Sequence, residues 1–228
     1  VAYCNNTTGG PIALNGPVAG AIYTWTNTNT AIGLAASGTG NIPAFTATNA
    51  GTTPITGTIT VTVSYSNGGV TCPGVQTASF IITVNPTPTV NQPVNQVVCS
   101  GNATTAVTLT SIVPGTTFNW TNNTPAIGLP GSGTGNIPSF VAVNNGVSPV
   151  TATITITPVY TNGGISCSGT PRTFTIVVNP TPTPGALSNL AVCSGQNTPS
   201  VSFAGVLGAV YTWTNTTPSI GSVSYTHL

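Results

Sequence analysis

Residues 118–122 read FNWTN. Nearly the same five occur earlier as YTWTN at 23–27 and return as YTWTN at 211–215. Each copy sets an aromatic residue and a Trp two positions apart, with Thr or Asn in between and after. A strand puts alternate residues on one face. Phe118 and Trp120 therefore share a face, and Thr117, Asn119 and Thr121 take the other. This is the pattern of a strand that is dry on one side and wet on the other. Trp25, Trp120 and Trp213 are expected in the cores of successive units.

Working outward, the whole neighbourhood repeats. AIGLAASGTGNIPAF at 31–45 returns as AIGLPGSGTGNIPSF at 126–140. SNGGVTCPG at 66–74 returns as TNGGISCSG at 161–169, and VNPTPTV at 84–90 as VNPTPTP at 178–184. The spacing is 95 between Trp25 and Trp120, and 95 between Cys72 and Cys167. A unit of that length is a domain rather than a solenoid rung. The units run 1–86, 87–181 and 182–228, the last holding only the start of a third repeat. Pro-Thr-Pro marks each joint. Proline fixes φ and lacks a donor, so the joints are expected to be short, extended and semi-rigid.

Within a unit, Val107 and Leu109 alternate with Thr in TTAVTLTSIV, Ile154 and Ile156 alternate in VTATITITPVY, and Phe174, Ile176 and Val178 alternate in RTFTIVV. A further strand is expected in NIPSFVAVN, and a hairpin turn at the NGG of 162–164. No stretch has helical apolar spacing. Many short strands with one buried Trp per hundred residues predict an all-β fold of tandem immunoglobulin-like β-sandwiches.

Composition removes most chemistry. The 228 residues include one Lys or Arg (Arg172), no Asp or Glu, and one His (His227). General acid–base catalysis draws on carboxylates, His and Lys. Calcium and magnesium sites draw on carboxylate oxygens. Nucleic-acid binding needs several cations. No catalytic, cofactor-binding or metal residue is therefore assigned, and nucleic acid is excluded as a partner. The mean hydropathy of +0.31 reflects missing charge. No apolar run reaches the length of a membrane span, so insertion is not expected. VAYCNNTTGG is not a signal peptide, and the chain is read as starting inside a longer precursor.

GSGTGNIPSF at 131–140 has the look of a phosphate-binding glycine loop. Such loops lead into a helix N-terminus, with a Lys in the P-loop version. Here Pro138 and a strand follow, and the loop occurs once per unit. It is read as a turn whose glycines permit positive φ. The tryptophans could instead form a sugar platform, but each shares its face with another aromatic, as core residues do. The Thr-rich strands at 58–62 and 151–157 are too few for an ice-binding face. The Asn-x-Thr sequons at Asn5, Asn6, Asn102, Asn122 and Asn215 follow from composition.

Five Cys fit an exported protein. The repeat suggests Cys4 with Cys72 and Cys99 with Cys167, each 68 positions apart, leaving Cys193 unpaired with its counterpart expected near position 261. No CxxC pair offers a zinc site.

The motif aromatic-x-Trp-Thr-Asn, with IGL, SGTGNIP, TATITITP and the VNPTPTV joint, resembles the PKD-like or Ig-like repeats of very large secreted and surface proteins of gliding bacteria. The resemblance covers residues 1–222. It implies a non-enzymatic structural or spacer role in an extracellular, cell-surface adhesin associated with type IX secretion. The implied partners are neighbouring repeats of the same chain, an extracellular polysaccharide or surface ligand, and other copies of the chain. Alternatives are a carbohydrate-binding array and a strand-exchanged fibre. The acidic residues of ordinary PKD domains are absent. The pattern breaks at Ser222, and 223–228 (VSYTHL with its first residue at 223) is read as foreign sequence. An unfinished third sandwich is expected to be poorly ordered or to borrow a strand.

Overall fold

The computed structural model describes residues 1–203, 205–206 and 208–221. In the first repeat the strands are β1 (Ala2–Cys4), β2 (Thr8–Gly9), β3 (Ile22–Asn27), β4 (Ser37–Thr39), β5 (Phe45–Thr46), β6 (Ile55–Asn67), β7 (Val70–Pro73) and β8 (Ala78–Asn85). The second has β9 (Gln96–Cys99), β10 (Thr117–Asn122), β11 (Ser132–Thr134), β12 (Val150–Asn162), β13 (Ile165–Ser168) and β14 (Arg172–Asn179). The fold is all-β, in two immunoglobulin-like sandwich units.

The principal sheet of the first unit has the order β1-β8-β6-β3-β4, and that of the second the order β9-β14-β12-β10-β11. The first strand of each unit runs parallel to the last, and the other pairs are antiparallel. The Trp strand, β3 or β10, therefore lies beside the long strand β6 or β12, as the C strand lies beside F in an immunoglobulin sheet. Alternation puts Ile154 and Ile156 of β12, Phe174 and Ile176 of β14, and Trp120 of β10 into one core. The same faces of the first unit bury Ile59, Val61, Ile82 and Trp25.

The opposite layer is thin. The alternating stretch around Val107 forms no continuous strand. It meets its partner segment at the isolated bridges Val107–Ile137 and Ala103–Val141, with single hydrogen bonds such as Thr104 N–H to the Phe140 carbonyl and Leu109 N–H to Asn136 Oδ1 between and beside them. Pro138 lies between these two contacts and has no N–H to give a ladder. Val107 and Leu109 are nonetheless buried.

The long strands β6 and β12 each serve two partners. The first part of β12, from Val150 to Ile156, pairs with β14, while Val159–Asn162 pairs with the short β13. The hairpin turn is where NGG predicts it, with Gly163 and Gly164 at φ +61° and +75°. The strand after it is β13, which the sequence pattern does not announce. The outer half of β12 and β13 thus form a two-stranded arm that leaves the body of the sandwich. β6 and β7 form the equivalent arm in the first repeat, from Ser64 to Pro73.

Among the described residues beyond Asn179 there is no strand, only a single 3-10 turn at Pro218–Ile220. The foreign-sequence reading of 223–228 falls outside the described residues.

Candidate functional site at the joint between the repeats

The predicted disulfides within each repeat do not form. Cys4 is bonded to Cys167 of the next repeat, with Cα atoms 5.5 Å apart, and Cys72, Cys99 and Cys193 are exposed free thiols. Register gives the reason. Cys4 sits opposite Asn85, beside the start of β6, where Ile55 faces Val84. Cys72 faces Tyr65, ten positions further along that same strand. Ten strand residues span about 33 Å, whereas a disulfide needs Cα atoms within about 7 Å. Cys99 and Cys167 stand at opposite ends of the second unit in the same way, facing Asn179 and Tyr160.

The arm resolves the geometry. It carries Cys167 out of its own sandwich and onto the end of the preceding one. A second contact closes beside the disulfide. Asn85 donates from Nδ2 to the Asn162 carbonyl at 3.0 Å, and Asn162 donates from Nδ2 to Asn85 Oδ1 at 2.9 Å. Asn85 and Cys167 are both fully enclosed here, at 0% and 3% exposure. Gly163 at the arm's tip sits so close to Ala2 that a Cβ there would lie 3.2 Å from the Ala2 Cβ. A buried amide pair with both members hydrogen-bonded offsets its desolvation and fixes the register of the contact.

The linker is held as firmly. Pro86, Pro88 and Val90 are buried while Thr87 and Thr89 are exposed, the alternation of an extended chain lying on a surface. Asn91 N–H donates to the Thr110 carbonyl at 3.0 Å, and Thr110 N–H donates to Asn91 Oδ1 at 2.8 Å. Gln92 Nε2 donates to the Thr173 carbonyl at 2.7 Å. Asn5 Nδ2 reaches back to Thr87 Oγ1 at 3.0 Å. The joint is thus built from three elements: linker, amide pair and disulfide.

The remaining predicted residues are placed as follows. Trp25 and Trp120 are buried, at 3% and 5% exposure. Trp213 differs: it is half-buried and lies in no strand. The GSGTG stretch forms β11 and its turn. Gly135 has φ +71°, as a turn glycine requires, but Gly133 faces Trp120 across the ladder instead. The indole occupies the space above it, so a Cβ at 133 would overlap the ring. Gly38 and Trp25 repeat the arrangement. No helix follows either copy, and nothing there cradles phosphate.

Sequence reasoning missed the buried asparagines. Asn122, which ends the FNWTN strand, donates to the Leu129 carbonyl at 2.9 Å and accepts from the Thr124 N–H at 2.9 Å. Asn144 donates to the carbonyls of Ser148 and Val178 and accepts from the Gly146 N–H. Asn27 and Asn49 do the same in the first unit. Neutral amides thereby hold loops in a chain without carboxylates. Their exact recurrence at repeat spacing is the one signal that could have singled them out.

A shallow open groove of about 540 Å³ runs between residues 91–98 and 105–108. Its walls carry no aromatic and no ionisable side chain. Among the described residues no helix is long and apolar enough to cross a membrane.

No protein-family model matches the chain, and no curated protein matches it. Among solved structures, the first two cadherin domains of chicken VE-cadherin match at TM-score 0.33 and 15% identity, covering 79% of this chain and 96% of that one. The equivalent pair from human mucin-like protocadherin matches at TM-score 0.28 and 11% identity, covering 79% and 95%. Eight N-terminal Ig domains of Down syndrome cell adhesion molecule match at TM-score 0.27 and 12% identity, covering 82% of this chain and 28% of that one. At similarity this low, none of these likenesses decides anything, and the fold rests on the strand order and core described above.

Proposed function

We propose that this chain is a non-enzymatic spacer of an extracellular bacterial surface protein, which holds a binding module away from the cell and contributes to adhesion. The observation that carries this reading is the locked joint. A disulfide between Cys4 and Cys167, an amide pair between Asn85 and Asn162 and a docked linker leave two sandwiches little freedom to bend. A joint with little freedom to bend keeps a fixed distance between its two ends, which is what a spacer requires. The disulfide suits an oxidising compartment. The neutral Thr- and Asn-rich surface hydrates without attracting ions.

Small-angle scattering on the oxidised and reduced 228-residue chain tests this. The spacer reading expects an elongated particle of fixed length when oxidised, and a broader distance distribution after reduction. A compact or equally flexible particle in both states would defeat it. So would turnover of a substrate or saturable binding to a glycan by the chain itself.

A further inference from the structure

We infer that Asn162, at the tip of the β12–β13 arm, is a site of spontaneous deamidation that the closed joint shields, and that the carboxylate formed there keeps an opened joint from closing again. This goes beyond the spacer reading and does not depend on it.

An Asn followed by Gly is prone to this chemistry because glycine has no side chain to keep its nitrogen from the neighbouring amide carbon. The chain has four such pairs, starting at Asn15, Asn67, Asn145 and Asn162. Their surroundings differ. At Asn145 the attacking nitrogen is engaged, since the Gly146 N–H donates to Asn144 Oδ1 at 2.9 Å. At Asn162 the following residue, Gly163, is exposed, and no described hydrogen bond uses its N–H. The amide is held instead. Asn162 Nδ2 donates to Asn85 Oδ1 at 2.9 Å, and the Asn162 carbonyl accepts from Asn85 Nδ2 at 3.0 Å. Ring closure needs the Asn162 side chain to turn back onto the Gly163 nitrogen, which breaks the first of these bonds. The backbone at Gly163 also lies against Ala2, where an added Cβ would stand 3.2 Å from the Ala2 Cβ. The attack therefore waits on release of the arm, and the Cys4–Cys167 bond sets when that happens.

Water is the only co-reactant. The Gly163 nitrogen bonds to Asn162 Cγ, the bond from Cγ to Nδ2 breaks, and ammonia leaves with the proton that the glycine nitrogen gave up. Water then opens the cyclic imide at either carbonyl and yields aspartate or isoaspartate with release of a proton. Nothing is oxidised or reduced. The product is the first carboxylate of a chain that has no Asp or Glu. It has no proton to donate to Asn85 Oδ1, so two acceptors meet where a donor met an acceptor. Asn85 is fully enclosed in the joint, and a charge is costly to enclose there. Isoaspartate also adds a carbon to the main chain beside a turn whose geometry sets the register of β12 on β13, the strand that carries Cys167.

The test ages three samples of the full chain at mildly alkaline pH: oxidised, held reduced with dithiothreitol, and Cys4→Ser. Peptic peptides are mapped by mass spectrometry. Loss of the two hydrogen bonds predicts deamidation at Asn162 at least about tenfold faster in the reduced and Cys4→Ser samples than in the oxidised chain. Asn67, in the same Asn-Gly-Gly turn of the other arm, is the reference and should keep one rate in every sample. Equal rates at Asn162 in every sample overturn the proposal, as does an unreactive Asn162 in the reduced chain. An equal acceleration at Asn67 marks general loosening and overturns it too. The second arm of the test returns the aged, reduced chain to a glutathione redox buffer. Its ratio of closed to open Cys4–Cys167 should be at least about tenfold below that of fresh chain. Asn162→Asp should match the aged chain and Asn67→Asp the fresh one, all with the same far-ultraviolet circular dichroism spectrum. Re-formation of the bond as complete as in fresh chain overturns the claim that the carboxylate holds the joint open.

Discussion

The ring of Trp120 lies against Gly133 on the neighbouring strand, in the space where any other residue would place its side chain. A methyl group at 133 must push the indole off its seat or push β11 away from β10. Overpacking of this kind costs about 1–3 kcal/mol. Gly133→Ala is therefore expected to lower the urea midpoint clearly, with Gly38→Ala doing the same in the first repeat. Gly131→Ala, where the nearest atom to an added Cβ is 3.4 Å away, serves as the control and should cost little.

Asn122 fills two roles with one amide, as donor to Leu129 and acceptor from Thr124. Asn122→Ala leaves both backbone groups unpaired and should destabilise the second repeat by about 2 kcal/mol. Asn122→Asp adds a sign test. Burial and the facing Leu129 carbonyl raise the folded-state pKa of such a carboxyl above its unfolded value. The penalty is then absent below the unfolded pKa and grows as pH rises through the folded one. Urea titrations should find this variant weaker at neutral pH than in mild acid.

The unsubstituted chain should show almost no acid transition. Stability changes with pH only where folded and unfolded states bind different numbers of protons. Acid unfolding comes mainly from carboxylates whose folded pKa is depressed, and this chain has no Asp or Glu. Calorimetric melting between about pH 5 and about pH 2 should shift by only a few degrees. A collapse in melting temperature over that range would show that another titration governs the fold.

Cys4→Ser should loosen the joint without unfolding either core. The two hydrophobic clusters share no residue, so each sandwich keeps its own interior. Spin labels placed on the two repeats should report a broader distance distribution in Cys4→Ser than in Cys72→Ser. Any loss of melting stability has an upper bound of about 5 kcal/mol from loop entropy.

The three tryptophans should separate in quenching experiments. Trp25 and Trp120 are buried and Trp213 is half-buried. Acrylamide should quench one emitting component far faster than the rest, and Trp213→Phe should remove that component.

Much of this was legible in the residues, and the exceptions have physical causes. The Trp strand, the alternating Ile and Val faces and the NGG turn follow from period-two patterning and glycine's freedom at positive φ. The disulfide does not. A 95-residue repeat lets Cys167 pair 68 positions back with Cys99 or 163 positions back with Cys4, and spacing alone cannot choose. The choice depends on β12 outrunning β14, which turns a hairpin into an arm. Gly133 shows the same limit. A glycine two positions before the positive-φ Gly135 reads as turn chemistry, but the need is clearance for an indole 13 residues away. Asn122 was hidden by its own composition, being one Asn among many.

The Cys4–Cys167 bond also reroutes tension. It joins a residue three positions from Val1 to one close to the end of the second repeat, and the loop it closes contains almost everything between. A pull applied at Val1 and beyond Asn179 would pass from β1 through the sulfur atoms into β13 and β14, leaving the Trp strands β3 and β10, the long strands β6 and β12 and the linker off the covalent path. A proteolytic cut in the linker would likewise leave the halves tethered. The chain is thus wired in parallel where its sequence reads as a series.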